Sequence, residues 1–373
     1  MAELADIFRC HGPEYLARYG DRIPNSHKQA IWDIIYCRTE SMGGHIYRCE
    51  TCSRIHFSFH SCGNRHCPKC LNDRTEIWLE KQRGKLLPMT FYHLITFTLP
   101  KELRAVTRSN KKQVYGIFFR TSSAALIKLA MDPRFAGGLA GMAGFLHSWT
   151  RDLIYHPHIH YVVPGGGYDK ENDRWIPSSN RFFVPVMALS KIFRAKFRDE
   201  LKKTALYDSV PDEAWKKDWV VHSKPVGDGE AVLKYLAPYV YRVAISNNRI
   251  RAFENGKVTF SYKKSDTGKL CKKTLPALEF IRRFLQHVLP KRFIKIRYYG
   301  FLAPAYRKKF LNIQYRLAAI LTLLLNPLIQ RNEIYHANKG DVSKQPLKCP
   351  DCGGDMELIA VFRYRKYRPL KPP

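Results

Sequence analysis

Three histidines alternate along His156-Pro157-His158-Ile159-His160. Residues two apart on a strand share a face, so the three imidazoles project together while Ile159 points to the other side. Neutral imidazole is the commonest metal ligand, and an open imidazole site suits a divalent cation that also binds phosphate oxygen. Downstream, Tyr235 and Tyr239 are four apart, a spacing that stacks two side chains on one helix face. A phenol can attack a phosphodiester and hold it as phosphotyrosine, dividing one strand transfer into two steps. With an ordinary pKa of about 10, the phenol needs a cation nearby to polarise the phosphate. Pro238 precedes Tyr239 directly. Proline removes a helical hydrogen bond and disfavours helix in the residue before it, so Tyr239 is expected past a kink.

Five of the ten cysteines fall within residues 49–70, which reads as metal ligation in a reducing compartment. Cys49-x-x-Cys52 and Cys67-x-x-Cys70 lie 14 residues apart, and the two pairs are expected to meet on one tetrahedral Zn²⁺. Cys37, His45, Cys62 and His66 bring the possible ligands counted in this stretch to eight. One zinc or two both remain open, a second site drawing on Cys62-x-x-x-His66 with Cys37 and His45. Cys349-x-x-Cys352 is either half of a site, completed by His336 or by residues from elsewhere, or a metal-free turn.

Strands are predicted at 91–100, 141–149, 156–163 and 217–225, with a further pair around an Asn-Gly turn at 255–256. Helices are predicted over 27–38 (capped by Asn25 or Ser26), 102–130, 189–203 and much of 276–335. The stretch 164–167, Pro-Gly-Gly-Gly, reads as a turn. The class is therefore α+β. Four units are expected: N-terminal helices with a zinc-binding module (1–85), a catalytic core (86–270), a basic helical DNA-binding region (271–335), and a Cys-x-x-Cys knuckle with a basic tail (336–373).

Across 373 residues, 63 Lys and Arg face 32 Asp and Glu, a net charge of +31. Such an excess destabilises a compact chain unless a polyanion offsets it, so nucleic acid is the expected partner and an anionic membrane the second choice. The longest apolar run, 317–325, is far short of the roughly 20 residues of a membrane span. With no basic leader before an apolar block, a cytoplasmic, nucleoid-associated location is expected. Between 276 and 310, Arg282, Arg283, Lys291, Arg292, Lys295 and Arg297 alternate with Phe284, Phe293, Tyr298 and Tyr299. That interleaving suits a single strand held by phosphate contacts and base stacking.

SCGNRHCPKC (61–70), FTLP (97–100), HPHIHYVVPGGG (156–167) and YLAPYVYRVAISNNRI (235–250) follow in that order. Together they resemble the two-tyrosine HUH transposases of the insertion sequence 91 group, over nearly the whole chain. The resemblance implies an HUH endonuclease core, an antiparallel sheet flanked by helices. It implies that His158 and His160 hold Mg²⁺ or Mn²⁺, with His156, or His147 on a neighbouring strand, as third ligand. It implies Tyr235 and Tyr239 as nucleophiles in rolling-circle transposition, each leaving a 5′-phosphotyrosine and a free 3′-hydroxyl. The zinc module, with Cys49, Cys52, Cys62, His66, Cys67 and Cys70 as ligands, would read element ends. Arg65, Lys69, Arg242 and Arg249 are the expected DNA contacts. No nucleotide-binding P-loop is present, so unwinding would come from host replication or helicase machinery. The alternatives are a rolling-circle replication initiator or relaxase, or a non-enzymatic zinc-dependent DNA-binding regulator.

Overall fold

The computed structural model describes residues 2–70, 79–80, 82–233, 243–264, 267–329 and 347–362. In chain order the elements used below are α1 (Leu4–Tyr19), α2 (Asn25–Tyr36), β1 (Gly44–Cys49), β2 (Ile55–Phe59), β3 (Tyr92–Thr98), α3 (Arg104–Ser109) and α4 (Lys111–Ala130). Then come β4 (Gly141–Trp149), β5 (Tyr155–Pro164), β6 (Gly166–Asp169), β7 (Arg174–Pro177), α5 (Val186–Lys202) and β8 (Val221–Gly227). The chain continues through β9 (Ile250–Glu254), β10 (Lys257–Lys263), β11 (Leu270–Pro276), α6 (Ala277–Leu285), β12 (Ile296–Gly300), α7 (Arg307–Ile329) and β13 (Met356–Phe362).

The centre is a five-stranded antiparallel sheet in the order β12-β4-β5-β3-β8. Its strands alternate as their sequences require. Phe97, Ile159, Tyr161 and Val163 face α4 and α5, whose Phe118, Phe193 and Phe197 complete the main core. In α5 the buried set Leu189, Phe193, Phe197 and Leu201 keeps a four-residue spacing, one stripe against the sheet. Gly144 sits beneath Tyr161, where a Cβ would come within 2.5 Å of the ring. The opposite face carries His158 and His160, and beside them a smaller core of Leu94, Phe145, Val162, Val232 and Leu233.

A second core joins α1 and α2 to β9–β11 and α6. Ile31, Ile34 and Ile35 form the buried face expected of residues 27–38, and Phe8 meets the Phe284 ring edge-on at 5.4 Å. The helix α2 begins one residue earlier than a cap at Asn25 would allow, with Pro24 at the cap position. Asn255 and Gly256 both take positive φ, the two-residue hairpin turn expected there.

Three expectations need refinement. Helices α6 and α7 cover most of the described part of 276–335, as expected, but Ile296–Gly300 between them is an edge strand of the central sheet, paired with β4. The five residues Ile-Arg-Tyr-Tyr-Gly are too few to show a strand period. The turn expected over Pro-Gly-Gly-Gly shrinks to a bend at Gly165; β5 runs through Pro164 and Gly166 starts β6, in a separate sheet with β7. The glycines are there for close approach, since a Cβ on Gly166 would meet the Ile176 carbonyl at 2.5 Å. The helix expected over 102–130 breaks at Asn110 into α3 and α4. The apolar run 317–325 lies within α7, and among the described residues no helix is long and apolar enough to cross a membrane.

Burial holds His287 and His27 down to about 3, with the Lys111 charge adding to the effect at each. Both are neutral when folded, but the unfolded chain takes up a proton at each near pH 6.5. Stability is therefore fully present above that pH and falls as the pH drops toward 3, by on the order of several kcal/mol for the pair. Melting temperatures between pH 7 and 4 check this. The His287→Gln variant should show a shallower slope, and an unchanged slope would exclude His287 as a source.

Candidate active site and metal centres

Strand alternation places His156, His158 and His160 on one face of β5, each half-buried between the buried Pro157, Ile159 and Tyr161. The register with β4 sets His147 directly opposite His158. The ligand nitrogens of His147, His158 and His160 all lie within 4.8 Å of one another. The His158 Nδ1–H donates to its own neighbour's backbone, the His156 carbonyl, at 2.7 Å. That bond leaves Nε2 as the nitrogen with the lone pair, which is how an imidazole is set for a metal. On the β3 side, the Thr96 hydroxyl lies 2.9 Å from His160 Nδ1 and orients that ring. Three convergent neutral imidazoles suit a first-row divalent cation better than Mg²⁺, which prefers oxygen ligands.

His156, expected as third ligand, does not join this group. The Arg104 guanidinium donates to His156 Nδ1 at 2.8 Å, and burial together with that cation keeps the imidazole neutral by lowering its pKa. A ring whose lone pair faces a guanidinium cannot present it to a cation as well. The strand register instead brings His147 beside His158 and His160 as the third imidazole of the group.

Tyr235, Tyr239 and Arg242 lie outside the described residues, as does His336. The chain leading to the tyrosines is described through residue 233. Asp228 caps the start of a helical turn by accepting from the Ala231 amide at 2.9 Å. Val232 and Leu233 then pack on Phe145 and Val162, the neighbours of His160 on the histidine face.

The cysteines form two four-thiol clusters, Cys37/Cys62/Cys67/Cys70 and Cys49/Cys52/Cys349/Cys352. The expected meeting of Cys49 and Cys52 with Cys67 and Cys70 does not occur. Cys49 ends β1 and Cys52 sits in the hairpin tip, a strand's length of about 20 Å from the end where Cys37 lies. At that near end, Cys70 Sγ is 3.4 Å from Cys37 Sγ and 3.5 Å from Cys62 Sγ. Hydrogen bonds from Cys62 and Cys67 hold the Cys37 thiol far below its usual range, toward the thiolate a metal takes.

At the tip, Cys49 Sγ is 3.4 Å from Cys352 Sγ, and Cys52 Sγ is 3.8 Å from Cys349 Sγ. The two Cys-x-x-Cys turns are copies of each other. Ser53 and Gly353 both take positive φ, and their amides return to the Cys49 and Cys349 carbonyls at 3.0 and 2.9 Å. The Cys52 amide donates to Cys49 Sγ and lowers that thiol to about 6. The sequence signal for this pairing was the shared Cys-x-x-Cys spacing alone, since Gly353 favours the left-handed region but Ser53 does not. Beside Cys349, His56 Nε2 lies 3.4 Å from the sulfur.

His66 and His45 belong to neither cluster. His66 is half-buried and neutral, its Nε2 accepting from the Leu289 amide at 3.2 Å, and His45 packs edge-on against His60. The expected DNA contacts Arg65 and Arg249 are also committed elsewhere. Arg65 donates to the Phe293 and Pro290 carbonyls, fixing the cysteine module to the loop before β12. Arg249 donates to the carbonyls of Ser261 and Arg151. Lys69 pairs with Glu3 at 2.5 Å. Phe284 and Phe293 are core residues, so they offer no stacking surface for bases.

Residues 141–309 match a family model described as "Putative transposase", and residues 7–99 match one described as "Transposase zinc-binding domain". A Sinorhizobium fredii protein named "Putative transposase y4qJ" is 37% identical over 384 aligned positions, which cover 96% of this chain and 95% of that one. The transposase for insertion sequence element IS801 of Pseudomonas savastanoi pv. phaseolicola is 28% identical over 357 positions, 90% of this chain and 83% of that one. No solved structure matches. The zinc-binding match agrees with cysteine clusters of structural-zinc composition.

Proposed function

The chain belongs to the transposases of the insertion sequence 91 type, and from that membership we propose that it nicks and rejoins single-stranded DNA at element ends by a rolling-circle route. Transposases cut and transfer DNA strands, and the net charge of +31 fits that substrate. The observation that carries the finer reading is the convergence of His147, His158 and His160 on the sheet face where Val232 and Leu233 lead the chain toward Tyr235.

His147, His158 and His160 hold a divalent cation, Mn²⁺ in preference to Mg²⁺. When bound, the cation withdraws charge from the scissile phosphate. Tyr235 supplies the nucleophile. Its phenolic oxygen bonds to phosphorus, the bond from phosphorus to the 3′ oxygen breaks, and the phenolic proton ends on that leaving oxygen. The products are a 5′-phosphotyrosine and a free 3′-hydroxyl. A 3′-hydroxyl attacking the phosphotyrosine reverses the bond changes and joins strands, and Tyr239 serves the second exchange. The two four-cysteine clusters each hold a structural Zn²⁺. Element ends are the substrate, with unwinding left to host replication or helicase machinery.

Incubation with a single-stranded element-end oligonucleotide and Mn²⁺ should yield a protein–DNA adduct that maps to Tyr235 or Tyr239 by mass spectrometry. Tyr235→Phe with Tyr239→Phe should give none. An adduct that survives the double substitution would rule out both nucleophiles.

A further inference from the structure

A cavity of about 670 Å³ lies where α1 and α2 approach α3, the start of α4 and α6, and one of about 320 Å³ lies between α3, residues 153–155, β11 and α6. They share Arg108, Arg282 and Gln286, so they are two chambers of one cleft. Arg22 and Lys112 line the larger chamber, and Arg104 and Arg283 the smaller. No carboxylate lines either one among the described residues. Arg282 and Arg283 share Glu279 just outside, whereas Arg108 makes no ion pair among the described residues.

The smaller chamber opens on the histidine strand. Arg104 lines it and donates to His156, whose ring is 5.4 Å from that of His158. The Arg104 Nε is buried without a hydrogen-bond partner, a cost that an anionic oxygen would remove. At the other end, the larger chamber is walled by Tyr15, Arg22 and His27 of the N-terminal helices. Like-charged guanidinium groups crowded into a concave surface repel each other and concentrate anions. The two volumes are of the size of a few nucleotides of one strand.

We infer that this cleft carries the sugar–phosphate backbone of a single DNA strand between the histidine site and the N-terminal helices. The inference rests on the strand-nicking reading for the identity of the strand, though its binding test does not depend on nicking. Arginines suit the task because their planar forks engage phosphate oxygens in pairs, at every sequence alike. The cleft therefore supplies affinity and direction, and no base specificity.

Arg108 and Lys112 are exposed, so replacing them leaves the cores intact. The Arg108→Ala/Lys112→Ala variant should bind a single-stranded element-end oligonucleotide about tenfold more weakly by fluorescence anisotropy at moderate salt. Its slope of log affinity against log salt should be shallower by about 1.4, at about 0.7 per lost phosphate contact on a single strand. Arg108→Lys alone should keep the slope, since it keeps the charge. Zinc content and melting temperature report that each variant is folded. Wild-type affinity and slope in the double variant would overturn the inference, as would an equal loss for a mononucleotide and for the strand, which would mark a lone phosphate pocket. Failure of the wild-type protein to nick the same oligonucleotide would count against the nuclease reading, while the binding comparison still decides the cleft.

Discussion

The His158→Ala/His160→Ala variant should lose nicking of a single-stranded end oligonucleotide by about 10³-fold or more, and keep its affinity for that oligonucleotide. Lewis-acid polarisation of a phosphoryl oxygen is worth several kcal/mol, and about 4 kcal/mol corresponds to a thousandfold in rate. The two side chains lie on the half-buried face of β5, while Ile159 and Tyr161 between and beyond them hold the strand in the core. Their removal therefore takes away ligands without opening the main core. His147→Ala should be nearly as damaging to nicking. His156→Ala should cost less than about tenfold, because that imidazole faces Arg104 and not the cluster. A gel-based nicking assay with Mn²⁺, Mg²⁺ and chelator, run on all four proteins, reads the comparison. If His156→Ala were as inactive as the His158→Ala/His160→Ala variant while His147→Ala kept its activity, the ligand set read from the strand register would be wrong.

The contrast between His156 and His147 shows what a sequence can carry and where it stops. Alternation puts His156, His158 and His160 on one face from sequence alone, and the structure agrees. Choosing the third ligand needs the pairing of His147 with His158 across β4 and β5, and the position of Arg104 on a helix some 50 residues away. The strands of the central sheet were legible in β3 and β5, where apolar and polar residues alternate, and in β4, a glycine-punctuated run buried throughout. They were not legible in β12, whose five residues take their pairing from β4 and not from a pattern of their own. Residue type alone also overstated DNA contacts. Arg65 and Arg249 look like phosphate ligands, yet their guanidinium groups are taken up by backbone carbonyls within the fold. The arginines free to meet a phosphate are those whose neighbours leave them in a cleft, and only the packing of α1 and α2 on α6 makes that cleft.

The Cys349→Ser/Cys352→Ser variant should carry one zinc per chain where the wild-type protein carries two. The argument rests on the twin turns at 49–53 and 349–353, which bring four sulfurs together from the two ends of the chain. Closing a loop of roughly 300 residues costs about 5 kcal/mol in chain entropy. The contact surface does little to offset this. The sheet β13-β1-β2 leaves Ile55, Phe57, Leu358 and Val361 exposed, and its cross-strand ion pair Arg48–Glu357 is open to solvent. A structural zinc contributes about 10 kcal/mol or more at neutral pH, enough to cover the loop cost and hold β13 on β1. Without it, β13 should leave β1 and the C-terminal segment should become sensitive to protease, while α1, α2 and the central sheet stay folded. Cys62→Ser should behave differently. Its partners Cys37, Cys67 and Cys70 are buried in the core shared by α1, α2 and α6, so losing that zinc should lower the melting temperature of the whole N-terminal half. Metal content by elemental mass spectrometry, with limited proteolysis of both variants, separates the two sites. Two zincs retained in the Cys349→Ser/Cys352→Ser protein, or a wild-type chain that holds only one, would break the link between the chain ends.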